Sequence, residues 1–76
     1  MINRNQTLFE FLTKEAVKRE ISLSQMAKEI GIHHSTLLGT EFRKPQMMTL
    51  VKIVRYLELE DDFFEINKLP IKNEND

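Results

Sequence analysis

The sequence predicts an all-α fold, a compact five-helix bundle, on three observations. Apolar residues recur at helical spacing, most clearly at Met47, Leu50, Val51, Ile53, Val54 and Leu57. Helix-start signals stand ahead of such stretches, as Thr7 with Glu10 and Ser22 with Gln25. Gly31 and Pro45 then fall where successive helices have to stop.

In chain order, residues 1–6 are polar and are expected to be a flexible, frayed N-terminus. Thr7 and Glu10 form a T-x-x-E capping box, so a first helix is expected to run from there to about Arg19. Leu8, Phe9, Leu12 and Ala16 share one face of it and are assigned to the core, whereas Phe11 and Val17 lie outside that stripe and cover the core's edge. Ser22 and Gln25 repeat the capping signal, with Ile21 as the staple, for a second helix over about 23–30. Met26 and Ile30 lie four apart on its inner face, and Ala27, lacking bulk, lets another helix cross closely. Gly31 ends it by taking the left-handed conformation, Ile32 plugs the corner, and Leu37 brings a third helix back onto the same core. That third helix is expected to start near His33 and end between Leu38 and Phe42, with Gly39 weakening it by about 1 kcal/mol relative to alanine.

Pro45 prevents the third helix from continuing, and the periodic run places a fourth over about 47–57 with Met47 and Met48 read as packing residues. Asp61 or Asp62 is positioned to cap a short fifth helix carrying Phe63, Phe64 and Ile66, stopped near Pro70. The folded unit is therefore expected over 7–69, followed by a flexible acidic tail over 70–76. Its expected buried set is Leu12, Met26, Ala27, Ile30, Ile32, Leu37, Leu50, Val51 and Val54.

Seventy-six residues make one small domain, and a chain of that size buries only about 60% of its unfolded surface, so dimerisation would help it. Without cysteine it has neither a disulfide framework nor a thiolate metal site. No stretch approaches the roughly 18 apolar residues of a membrane span. The expectation is an intracellular, soluble, cytoplasmic protein with no membrane partner. The net charge of −1 is unevenly spread. Residues 1–57 hold nine Lys/Arg against five Asp/Glu, net +4, while residues 58–76 hold two against seven, net −5. An acidic end of this kind keeps a protein soluble, or limits non-specific binding to nucleic acid by repelling phosphate.

Catalysis and cofactors find little to stand on. His33 and His34 are sequence neighbours with no Asp, Glu or Cys at a spacing that closes a metal site, so no metal is expected. Ser22, Ser24 and Ser35 are framed by no nucleophile elbow or acidic pair. Gly31 and Gly39 are the only glycines, which excludes a glycine-rich phosphate loop. The chain is not expected to be an enzyme or to carry a cofactor.

What remains is binding. Two short helices joined by a glycine turn have the geometry of a helix-turn-helix, whose second helix can be presented to the major groove of double-stranded DNA. The run ISLSQMAKEIGIHHSTLL, followed by RKP and MMTLVKIVRYLEL, resembles the Cro/C1-type (Xre family) regulators over roughly residues 8 to 66. The resemblance implies a lambda-repressor-like bundle and a transcription regulator, in particular a small repressor of a mobile element. It also places His33 at a helix N-cap where the family has serine, and Leu23 where the family often has a DNA-contacting glutamine. The segment before Pro45 is shorter than in the family, which implies a truncated third helix with Phe42 swung inward to fill the place the family gives to an aliphatic residue at Thr40.

If the third helix enters the major groove, His34, Ser35, Leu38 and Gly39 are the expected base contacts. The expected backbone contacts are Ser22, Leu23, Lys28, His33, Thr36, Arg43, Lys44 and Thr49, with Lys52 beside them. Arg43 and Lys44 stand in the loop that contacts phosphate in the family. Phe63, Phe64, Ile66 and Leu69 supply more apolar surface than a short C-terminal helix needs, so Phe63 or Phe64, with Tyr56 and Ile66, is expected to form a two-fold homodimer interface, the alternative being that both rings fold onto Phe9 and Phe11. A second reading stays open. Leu23, Leu38 and Gly39 occupy positions that are normally polar, which suits a fold kept as a protein-interaction module, an anti-repressor or inhibitor, with little DNA binding.

Overall fold

The boundaries of the first two helices have local chemical causes in the computed structural model, which describes residues 2–72. Thr7 opens α1 (Leu8–Lys18) with the complete capping box: its hydroxyl accepts from the Glu10 N–H, and the Glu10 carboxylate accepts from the Thr7 N–H. Ser22 opens α2 (Leu23–Ile30) by accepting from the Gln25 N–H at 3.0 Å. Gln25 does not complete that second box, because its amide turns to Glu29 at 3.0 Å. Gly31 closes α2 at φ 93°, and its Cβ position would meet nothing within 4 Å, so backbone angle rather than space calls for glycine there.

The corner leads straight into α3 (His34–Leu38), a helix of five residues that a single 3-10 turn, Gly39–Glu41, extends. After Pro45 comes α4 (Met47–Leu57), then a 3-10 turn at Glu60–Asp62 and α5 (Phe63–Asn67). Neither Asp61 nor Asp62 caps α5 with its side chain; the 3-10 turn feeds the chain directly into it. The described residues thus form an all-helical fold of five α-helices without strands.

The core lies between α1, α2 and α4. Leu8, Leu12, Met26, Leu37, Leu50, Ile53, Val54 and Ile66 are each at most 1% exposed. Ala27 is fully buried and α3 packs chiefly on α2, as expected of a small residue at a close crossing. Ile30, Ile32 and Val51, expected in the core, are only half-buried; the two isoleucines pack against its edge and Val51 lines an apolar groove. Phe11 goes the other way and is buried, while Val17 is exposed.

Four further expectations need correction. Residues 2–6 are not a loose arm: Ile2 and Gln6 are buried, with Ile2 joining the core. The start of the expected tail is also held, since the Pro70 carbonyl accepts from the Leu8 N–H at 3.0 Å and Lys72 bonds Glu41 through both backbone and side chain. The rest of that tail, residues 73–76, lies outside the described residues. Phe42 does not swing inward. It is 59% exposed, and Thr40 is itself buried because its hydroxyl donates to the Leu37 carbonyl at 2.7 Å, leaving a valine-like side chain with its polar atom satisfied. Met47 and Met48 likewise face outward rather than packing.

One buried charge ties α1 to its own end. Glu15, 7% exposed, receives Arg19 at 2.7 Å and Lys18 at 3.1 Å. Burial alone would raise its carboxyl, but the hydrogen bonds and charges of Arg19 and Lys18 outweigh this and hold it below the ordinary value. A value lowered by folding contributes stability above the unfolded value and loses it as pH falls through the folded one. Glu15→Gln is therefore expected to lower the melting temperature at pH 7 and to narrow its gap to the wild type in acid, below the ordinary glutamate value of about 4.3. An equal gap at pH 7 and pH 3 would contradict this.

Candidate functional site

The loop between the third and fourth helices brings several of the expected contact residues into one place. Ser35, Thr36, Arg43, Lys44, Pro45, Gln46 and Thr49 line a cleft of about 500 Å³ between α3 and the first turn of α4. The lining carries three hydroxyls, two cations and an amide, and no carboxylate. The start of α4 adds to it. Gln46 occupies the N-cap without a side-chain cap bond, and the N–H groups of Met47, Met48 and Thr49 have no partner among the described residues. Open N–H groups at the start of an eleven-residue helix favour an anion. The acidic turn at Glu60–Asp62 sits beyond the other end of α4, separated by a helix length of about 16 Å.

The two cations of the cleft differ. Arg43 is exposed, and its guanidinium lies over Gly39, 3.5 Å from where a Cβ would stand. Lys44 is anchored: its ammonium donates to the Asn67 carbonyl at 2.7 Å, closing the last turn of α5. Its expected role at a phosphate is therefore shared with a structural one.

The other expected contacts are dispersed. The Ser22 oxygen accepts from the Gln25 N–H, and Leu23 packs half-buried on the core, which leaves its backbone N–H, not its side chain, as the expected contact. Lys28 is exposed on α2 outside the cleft, and Lys52 lines a separate shallow groove with Glu29, Ile30, Arg55 and Tyr56. On α3, His34, Ser35 and Thr36 are exposed and Leu38 is 39% exposed. His33 is the N-cap, its Nδ1 accepting from the Ser35 N–H at 3.1 Å. Gly39 has an ordinary helical φ of −67° and lies beneath Arg43 rather than at an open surface. Since a methyl there makes only ordinary contact with a movable side chain, Gly39→Ala is expected to raise stability by about 0.4–1 kcal/mol. Denaturant unfolding measures this; a loss instead would mean that the Arg43 packing is tighter than it looks.

Of the expected dimer residues, Ile66 is fully buried and cannot reach a partner. Tyr56 is engaged within the chain, with its hydroxyl donated to the Glu29 carboxylate and its ring under the Arg19 guanidinium. The hydrogen bond from Tyr56, then that from Gln25, lowers the Glu29 carboxyl, and the same bond raises the Tyr56 phenol. Phe63 is half-buried and lines an apolar groove of about 260 Å³ with Val51, Val54, Arg55 and Glu60. Phe64 points outward at 76% exposure.

Sequence reasoning missed Pro45 and Gln46 as cleft residues and missed the open start of α4. A signal was present: Met47 is not preceded by Ser, Thr, Asp or Asn, so the helix begins without a capping side chain. Among the described residues there is no group of three or more metal-ligating side chains, and no helix is long and apolar enough to cross a membrane. No family model, no curated protein and no solved structure matches the chain.

Proposed function

We propose that the chain is a sequence-specific DNA-binding transcriptional regulator, a small cytoplasmic repressor of the Cro/C1 type in which α2 and α3 are the helix-turn-helix. The observation that carries this reading is the carboxylate-free cleft beside α3, lined by Arg43, Lys44 and the hydroxyls of Thr36 and Thr49, with the uncapped start of α4 at its edge. Such a site holds phosphate, and holding the backbone there positions α3 against the bases. The chain measures 31 × 26 × 23 Å and carries one such unit, whereas half-sites on DNA lie about 34 Å apart. The reading includes a homodimer on a pseudo-palindrome, and the exposed Phe64 of each copy against the Phe63 groove of the other is the contact it uses.

One observation favours a second reading. Leu38, Phe42, Met47 and Met48 are 39–69% exposed and interleave in sequence with the cleft residues. Exposed apolar side chains around a polar centre suit a protein partner, so the same face would serve an interaction module.

Fluorescence anisotropy with duplexes from the gene's own promoter region, repeated over a salt series, separates the two. Sequence-selective binding that weakens as salt rises supports the regulator. No binding at low salt, with a protein recovered by the immobilised chain and lost on Phe42→Ser, supports the module. For assembly, Phe64→Glu is expected to shift sedimentation at micromolar concentration from dimer to monomer with helicity kept. A wild type that is already monomeric, with full affinity for a half-site, would remove the dimer from the mechanism.

A further inference from the structure

We infer that His33 is a specificity-determining residue that presents a fixed Nε2–H donor to a base edge composed of acceptors, foremost guanine; the inference rests on the DNA-binding reading above. The fixing comes from the cap. The Ser35 backbone N–H can only donate, and it points at His33 Nδ1 from 3.1 Å, so Nδ1 accepts and carries no hydrogen. The Ser35 hydroxyl lies 2.7 Å from the same nitrogen and must therefore donate to it as well. The neutral ring then holds its single proton on Nε2, on the side away from the helix.

Nothing inside the chain uses that proton. His33 is exposed, and Nε2 has no partner among the described residues. The ring is also held in place from one side, since the His34 ring stacks on it with centroids 4.6 Å apart and planes at 27°. A donor of known identity thus projects from the start of α3, the part of a recognition helix that meets base edges. The other side chains of α3 are less defined: it has no Arg, Lys, Asn or Gln, and the Ser35 hydroxyl has spent its hydrogen inward.

A lone donor selects among bases by what stands beside each acceptor. In the major groove guanine offers N7 and O6 side by side and no donor, adenine sets its N6–H₂ donor next to N7, thymine crowds O4 with a methyl, and cytosine shows a donor. Guanine is the edge that accepts wherever the Nε2–H lands. The Ser35 oxygen, left as an acceptor, suits the opposite kind of edge at a neighbouring position.

The test is selection of bound sequences from a random duplex library by the wild type and by His33→Ser, which keeps a capping oxygen and removes the ring. The expected result is one guanine per half-site selected by the wild type and unselected by the variant. Replacing that guanine with adenine, which sets a donor in place of O6, is expected to weaken wild-type binding about 3- to 10-fold, the worth of one hydrogen bond, and to leave the variant unaffected. In parallel, ¹⁵N-detected NMR of the His33 ring in the free protein is expected to show the proton on Nε2. A proton on Nδ1, or the same guanine preference in both proteins, overturns the inference while leaving DNA binding intact. No selected sequence for the wild type at low salt overturns the DNA-binding reading and the inference with it.

Discussion

Leu50→Ala is expected to cost about 2–5 kcal/mol of folding stability, the range for emptying a fully buried leucine site. Leu50 is 1% exposed, on the inner face of α4 that also carries Ile53, Val54 and Leu57. Domains have roughly 0.05–0.15 kcal/mol of stability per residue, so a chain this short has little to spare and the variant should be partly unfolded at physiological temperature. Val51→Ala, on a side chain that is only half-buried beside the apolar groove, should cost clearly less. Urea unfolding of the two variants checks the order. A loss below about half a kcal/mol for Leu50→Ala, against the range expected for a buried leucine, would count against α4 as the centre of the core.

Arg43→Ala should have the largest effect on DNA at the smallest structural cost. Its guanidinium is exposed over Gly39, it lines the cleft, and it makes no ion pair among the described residues. If it neutralises one phosphate, its removal weakens specific and random duplexes alike and lowers the slope of log affinity against log salt by about one unit. Lys44→Ala is a different experiment. It removes the ammonium from the cleft and from the Asn67 carbonyl together, so its loss of affinity should come with a loss of thermal stability that Arg43→Ala lacks. A salt slope unchanged in Arg43→Ala would place the phosphates elsewhere.

Local signals were legible where the physics is local. The span of α4 followed from periodicity, the start of α1 from a complete capping box, and the corner after α2 from a glycine whose φ of 93° few other residues adopt. Errors came where a tertiary partner decides. Ile2 is one apolar residue in a polar stretch, without a period to announce that it joins the core. Periodicity also cannot say that Met47 and Met48 fall on the outer side of a helix whose inner face begins at Leu50. Burial of Thr40 depends on a carbonyl three residues earlier, which displaced Phe42 from the role given to it.

The site shows the same division. His33 as the cap of α3 was implied by the resemblance, which has serine at that position. The link from Lys44 to Asn67 spans 23 residues and leaves no trace in any short pattern. Ile66 was counted as interface because a helical wheel of a five-residue helix cannot tell which of its sides meets the rest of the chain.

Chemical-shift mapping of the ¹⁵N-labelled protein with a short duplex tests the central claim most directly, because it reports where DNA sits. The expected result is that the largest amide shifts fall on Ser35, Thr36, Arg43, Gln46 and Thr49, shrink as salt is added, and spare Glu60–Asp62 and Phe63. Shifts centred on the Phe63 groove, or none at low salt, would contradict the account.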